Sequence, residues 1–263
     1  ILIIPYGLGQ KVNFKTNEGP ILESYNLKEF KKINKEKFLS KVKNIYKALK
    51  YTRKKLNKKK SLIGFAGSPW TLLVYIVNKK SPKKNFKLSN IIQNNKEIED
   101  LLKIIEKFIF IHIEKQIKSG ADTIQLFDSW AGLLNKKNLN KYCYQPNKRL
   151  VQKIKKKYPK IPIICFPKGI NKNIIKFCNV VKPDCLSIDS KVNTDLINKK
   201  IPEKIVIQGG LDPKFLLGNK KQREKKTLFY LNKFKHRPYI FNLGHGVDKK
   251  TKPSAVQHLI NVV

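Results

Sequence analysis

The chain has 263 residues, a net charge of +39 and 41% apolar residues. That apolar share supports a buried core and sets aside global disorder. No uncharged apolar run reaches the roughly 18 residues of a membrane-spanning helix. A positive field of this size attracts polyanions, but the lysines are spread along the chain among abundant Asn and Ile, as composition bias would spread them.

The first residues, Ile1-Leu2-Ile3-Ile4-Pro5, lack an initiator Met and a basic leader. Their apolar run predicts a buried strand over 1–5, already under way at the first residue. The expectation is a chain that starts inside a folded element. Gly7-Leu8-Gly9 follows, but no G-x-G-x-x-G completes it, so a dinucleotide-binding turn is weakly supported. A helix is predicted over 27–57. The Lys-rich stretch 54–60 reads as a solvated helix end, with a nucleic-acid patch as the sharper alternative.

A strand over 62–65 leads into Ala66-Gly67-Ser68-Pro69-Trp70-Thr71, with Pro69 suited to the first position of an apolar helix that carries Tyr75. Over 97–119, Leu101, Ile104, Ile105, Phe108 and His112 share one helical face, and Gly120 is a stop. A strand over 123–127 ends on Asp128-Ser129-Trp130-Ala131-Gly132, and a helix over 138–158 follows. A strand over 161–166 ends on Pro167-Lys168-Gly169, with a helix over 171–178. A strand over 185–188 ends on Asp189-Ser190, and one over 205–208 on Gly209-Gly210-Leu211-Asp212-Pro213. After a helix over 220–234, a strand over 239–243 ends on Gly244-His245-Gly246, and a helix over 254–263 follows.

Short apolar strands alternating with longer amphipathic helices predict a parallel sheet. Seven such strands point to an α/β chain, a (β/α)8 TIM-type barrel forming a single domain over 1–263 with its first strand–helix unit missing. A doubly wound open sheet is the alternative. The four cysteines, Cys143, Cys165, Cys178 and Cys185, have no zinc spacing and read as free thiols, three of them in apolar strand or helix contexts, in a reducing compartment.

In a barrel, ligands bind where strands end. Six ends in succession carry small, polar or ionisable residues, and Asp128, Asp189 and Asp212 lie there although the chain has only 18 acidic residues. This favours an enzyme pocket, although ordinary turn chemistry explains part of it. Singly, each candidate has a plainer reading: His245 as a structural turn residue, Tyr75 as core, Ser129 as a helix cap. No G-x-S-x-G or H-E-x-x-H occurs, so hydrolase and metalloprotease chemistry lack their residues.

Four ordered segments resemble the uroporphyrinogen decarboxylase family: Gly64-Phe65-Ala66-Gly67-Ser68-Pro69-Trp70-Thr71-Leu72 with Tyr75, Gln125-Leu126-Phe127-Asp128-Ser129-Trp130-Ala131-Gly132, Gln208-Gly209-Gly210-Leu211-Asp212-Pro213 and Phe241-Asn242-Leu243-Gly244-His245-Gly246-Val247. The resemblance implies a cytoplasmic homodimer that decarboxylates the acetate side chains of uroporphyrinogen III, without metal or organic cofactor. It implies that Tyr75, Ser129 and His245 contact substrate carboxylates, with Tyr75 the one catalytic candidate in the chain. It also implies that Phe65 and Phe127 line the wall against the macrocycle. The family's principal catalytic Asp and its arginine-bearing segment correspond to positions upstream of Ile1. Without them the 263 residues alone are expected to have little activity, since loss of one preorganised electrostatic group costs about 100- to 1000-fold. A zinc- and corrinoid-linked methyltransferase of the same superfamily is the enzyme alternative. Those relatives carry His-x-Cys where this chain has His245-Gly246-Val247. A basic nucleic-acid-binding protein is the non-enzyme alternative.

Overall fold

A computed structural model describes residues 1–16, 18–83, 86–92 and 95–263. Among the described residues, eight strands form two sheets. Strands β1 (Val12–Lys15) and β2 (Gly19–Leu22) make an antiparallel hairpin with Val12 opposite Leu22. The main sheet contains β3 (Ile63–Gly67), β4 (Thr123–Asp128), β5 (Ile163–Pro167), β6 (Cys185–Ile188), β7 (Val206–Gly209) and β8 (Tyr239–Ile240). They pair in that order and all in parallel. Helical segments lie between successive strands, as parallel crossovers require. Parallel strands whose order equals chain order are the (β/α)8 barrel architecture, of which the described residues supply six strands.

Residues 1–5 are not a strand. Ile3–Gly7 is a short helix, with Leu8 N–H donating to Ile4 O at 2.9 Å. Ile4 and Leu8 are both buried, a spacing of four rather than two. A short apolar run does not distinguish the two periods, and the sheet therefore has six strands instead of the expected seven. Gly7 lets this helix approach Phe38, since a Cβ there would lie 2.3 Å from the ring.

The helix expected over 27–57 is three helices, Leu27–Lys32, Lys35–Lys41 and Lys43–Lys55. Asn26 and Asn34 start the first two by accepting backbone N–H bonds on their side chains. The helix expected over 138–158 contains a π turn at Asn140–Tyr144. Gln145 N–H bonds to Asn140 O there, just before Pro146, which has no N–H to donate. The long helix Asn95–Lys118 agrees with its sequence pattern.

The core lies between the sheet and its helices. Ile124, Leu126, Ile163, Cys165, Leu186, Ile188 and Ile207 are all within 1% of full burial and alternate with residues on the opposite face. Each such aliphatic side chain contributes about 1.5–3 kcal/mol on burial. All four cysteines are buried and unpaired. On the concave face, register aligns Phe65 with Gln125, Phe127 with Phe166, and Ser187 with Gln208. Gln208 Nε2 donates to Ser187 Oγ at 3.3 Å and reaches Gln125 Oε1 at 3.5 Å, which satisfies a buried polar layer inside the sheet.

The edge of β3 is covered by a side chain. Gln116 accepts from Phe65 N–H and donates to Phe65 O, both at 2.9 Å, so one amide replaces the ladder of a neighbouring strand.

Candidate active site

The site is built from the carboxyl ends of β3, β4, β5, β6 and β8. At the end of β3, Pro69 opens the helix Pro69–Asn78, which carries Tyr75. Among the described residues the Tyr75 hydroxyl has one weak contact, Ser81 Oγ at 3.4 Å. Its ring packs edge-on against Trp130, with centroids 6.1 Å apart. Tyr75 therefore borders the loop that holds Ser129, rather than lying in the core.

That loop follows β4. Ser129 is partly buried and caps no helix; Trp130 occupies the cap position before the short turn Ala131–Leu133. Asp128, beside it, is almost fully buried. It accepts from Thr71 Oγ1 at 2.8 Å and from Asn147 Nδ2 at 3.2 Å. Thr71 Oγ1 in turn accepts from Trp130 N–H at 3.2 Å, and Ser68 Oγ donates to Asn147 Oδ1 at 3.0 Å. Trp70 Nε1 donates to Trp130 O at 2.9 Å. Burial raises the Asp128 pKa to about 6, against the opposing pull of the Thr71, Cys143 and Asn147 hydrogen bonds. The network fixes the β3 and β4 loops to each other.

The other two acidic strand-end residues are also structural. Asp189 is buried; its oxygens accept Gly169 N–H at 2.8 Å and Lys191 N–H at 2.9 Å. Asp212 caps the turn Pro213–Leu216 by accepting Lys214 N–H at 3.0 Å.

Phe65 and Phe127 pack edge-on at 5.8 Å, and Phe127 packs on Phe166 at 6.1 Å. The aromatic wall thus has a third member that the motifs did not single out. Phe65 is 47% exposed on the concave side. It also borders an apolar cavity of about 370 Å³ with Ile1, Ile45, Leu49 and His112. His112 is buried there, its Nδ1 2.9 Å from the Tyr46 hydroxyl, and burial lowers its pKa to about 4.

His245 is exposed in the loop after β8. Partial loss of solvation, then the nearby Lys168 ammonium, lower its pKa below the usual 6.5, while Asp189 opposes them. Its position is set by Gly244, which lies so close to the loop after β6 that a Cβ would sit 2.6 Å from Ser190 N. Similarly, Gly132 lies against Gly169, a Cβ there meeting Gly169 O at 2.9 Å.

The loops that carry Tyr75, Ser129 and His245 follow one another by contact: Tyr75 packs on Trp130, the Ser129 loop meets Gly169 at Gly132, and Asp189 accepts Gly169 N–H while lying 3.1 Å from a Cβ built on Gly244. No direct hydrogen bond links the three among the described residues. Sequence reasoning passed over Trp130 and Lys168. Lys168 carried a signal, since it stands between Pro167 and Gly169 at a strand end. The strand ends offer hydroxyl, imidazole and ammonium donors together with an aromatic cluster, a combination that suits a flat molecule with acidic substituents.

Among the described residues, no group of three or more His, Cys, Asp or Glu could hold a metal ion. None of their helices is long and apolar enough to cross a membrane.

Among solved structures, a methyltransferase from Methanosarcina mazei is similar in fold, with a TM-score of 0.82 at 14% identity over 100% of this chain and 77% of its own. A B12-independent methionine synthase from Shewanella sp. W3-18-1 gives a TM-score of 0.55 at 12% identity, covering 96% of this chain and 72% of its own. At such identities the likeness concerns fold alone. In sequence, the uroporphyrinogen decarboxylase of Rickettsia bellii is 39% identical over 100% of this chain and 77% of its own length. That of Rickettsia felis is 38% identical over 100% and 76%. The uroporphyrinogen decarboxylase (URO-D) family model matches residues 1–263, so the match takes in every strand end of the rim, and the chain belongs to the uroporphyrinogen decarboxylase family.

Proposed function

We propose that this protein is a uroporphyrinogen decarboxylase, a carboxy-lyase that converts the four acetate side chains of uroporphyrinogen III to methyl groups and yields coproporphyrinogen III for porphyrin and heme synthesis. The observation that carries the reading is the family match across residues 1–263, which includes all the rim loops. In this reading Tyr75, Ser129 and His245 bind substrate carboxylates, and Phe65 and Phe127 face the macrocycle. The enzyme is a cytoplasmic homodimer and uses neither metal nor organic cofactor.

The chemistry supports these roles. Each turnover protonates a pyrrole carbon, so that the ring accepts the electron pair released as the carbon–carboxylate bond breaks. Carbon dioxide leaves, a second proton completes the methyl group at the exocyclic carbon, and the first proton departs from the ring carbon to restore the pyrrole, so one proton is consumed for each carbon dioxide released. Positive charge develops on the pyrrole nitrogens and is stabilised by a fixed anion. Asp128, Asp189 and Asp212 are all engaged in holding loops. By the family resemblance, the anion is the Asp that the family carries before the segment resembling 1–5, and its arginine-bearing segment supplies carboxylate binding and proton delivery.

The test is an anaerobic assay with uroporphyrinogen III, the products being oxidised and separated by carboxylate number. It uses the chain alone and a chimera extended upstream with the corresponding segment of the Rickettsia bellii relative. The chimera is expected to form the tetracarboxylate product, and the chain alone at least about 100-fold less. A well-folded chimera that leaves all eight carboxylates in place would refute the reading.

A further inference from the structure

We infer that Lys168, at the end of β5, is a further substrate-binding residue that holds a carboxylate jointly with His245; the inference rests on the decarboxylase reading above. Lys168 is half-buried in the rim. Its backbone is fixed from two sides, its N–H donating to Asp128 O at 3.1 Å and its carbonyl accepting from Gly132 N–H at 2.9 Å. The loops that carry Lys168 and His245 meet at Asp189, which accepts Gly169 N–H at 2.8 Å and lies 3.1 Å from where a Cβ on Gly244 would sit. Asp189, Lys191 and His245 are the charged or titratable groups of the neighbouring loops that act on Lys168 or are acted on by it. Asp189 is committed elsewhere, its two oxygens accepting the Gly169 and Lys191 backbone N–H groups. No carboxylate of a described residue comes within 4.0 Å of the Lys168 ammonium.

A partly buried cation without an ion-pair partner is costly unless an anion completes it. Most lysines of this chain avoid the problem by lying in solvent. Burial lowers the pKa of Lys168, and Lys168 in turn lowers that of His245. The imidazole is therefore harder to protonate than usual, and Lys168 supplies positive charge beside it. A bound carboxylate raises the proton affinity of His245, so binding tightens as pH falls through the imidazole pKa.

Two measurements on the 263-residue chain test this. NMR titration of the His245 ring should show its pKa rising in Lys168→Met, and an unmoved pKa would overturn the pairing. Titration with uroporphyrin III, the oxidised octa-acid, should show affinity about 10-fold weaker in Lys168→Met, mostly restored in Lys168→Arg and unchanged in Lys107→Met, which removes an exposed charge elsewhere. Equal weakening in Lys168→Met and Lys107→Met would reduce the effect to net charge and overturn the inference. If wild type binds and Lys168→Met binds equally well, the inference fails while the decarboxylase reading stands. If wild type does not bind, the inference fails, and the decarboxylase reading is decided separately by the chimera assay.

Discussion

The Thr71 hydroxyl donates to the Asp128 carboxylate at 2.8 Å and accepts the Trp130 N–H at 3.2 Å, so one side chain ties the Tyr75 helix to the Ser129 loop. The buried acid is thus part of the scaffold beneath the rim.

Asp128→Asn is expected to change the pH dependence of stability. The folded pKa of Asp128 is raised to about 6 from an ordinary value near 3.8. Protonation therefore favours the folded state between these values, and this contribution is lost as pH rises from about 4 to about 6. Roughly 2–3 kcal/mol of unfolding free energy is at stake. Urea unfolding across that range should show the wild type losing stability relative to Asp128→Asn; parallel curves would remove Asp128 as the cause.

His112 contributes with the opposite sign. Burial lowers its pKa to about 4, so the unfolded chain binds the proton more readily. Stability from this group is full above about pH 6.5 and falls as pH drops toward 4, by about 3 kcal/mol. His112→Gln, which does not titrate, should unfold with a smaller acid dependence in the same urea series.

Tyr75→Phe should leave the melting temperature nearly unchanged, because among the described residues the hydroxyl makes only the 3.4 Å contact to Ser81. In the upstream-extended chimera, kcat should fall about 10- to 100-fold if the hydroxyl acts on the substrate. Unaltered kinetics would place Tyr75 outside the site.

His245→Asn should raise KM for uroporphyrinogen more than it lowers thermal stability, since the ring is exposed. A large stability loss with unchanged KM would make His245 a structural turn residue.

Gly244→Ala should harm both properties. The added Cβ meets Ser190 N at 2.6 Å, backbone that cannot yield as a flexible side chain would. The expected cost is about 1–3 kcal/mol, with weaker uroporphyrin binding because His245 shifts. Calorimetry and porphyrin titration together check this.

The sheet was readable because each inner strand is a short apolar run closed by Gly, Pro or Asp, and the rim was readable because its residues follow those runs. The first helix was not, because four apolar residues fit both periods and only the burial of Ile4 and Leu8 decides between them. The hairpin Val12–Leu22 was missed because its outer positions, such as Phe14, are exposed and break the alternation. Residues 27–57 read as one helix because the apolar spacing continues past Asn34, whose capping role was the available signal. Asp128 counted among the strand-end residues that favour a pocket, and its burial against Thr71 and Asn147 shows a structural role that sequence position alone does not reveal. Lys168 was lost among the other lysines; only its unpaired, half-buried setting separates it from them.

The most direct measurement is a titration of uroporphyrin III with the wild-type chain and with the Tyr75→Phe, Ser129→Ala, His245→Asn triple variant. It is run at about 0.3 M salt, where a Debye length of about 6 Å screens the general positive charge. A single rim that grips an acidic macrocycle gives saturable one-to-one binding in wild type, at least about 10-fold weaker in the triple variant. Equal affinity in the two proteins, or binding that salt abolishes in both, would contradict it.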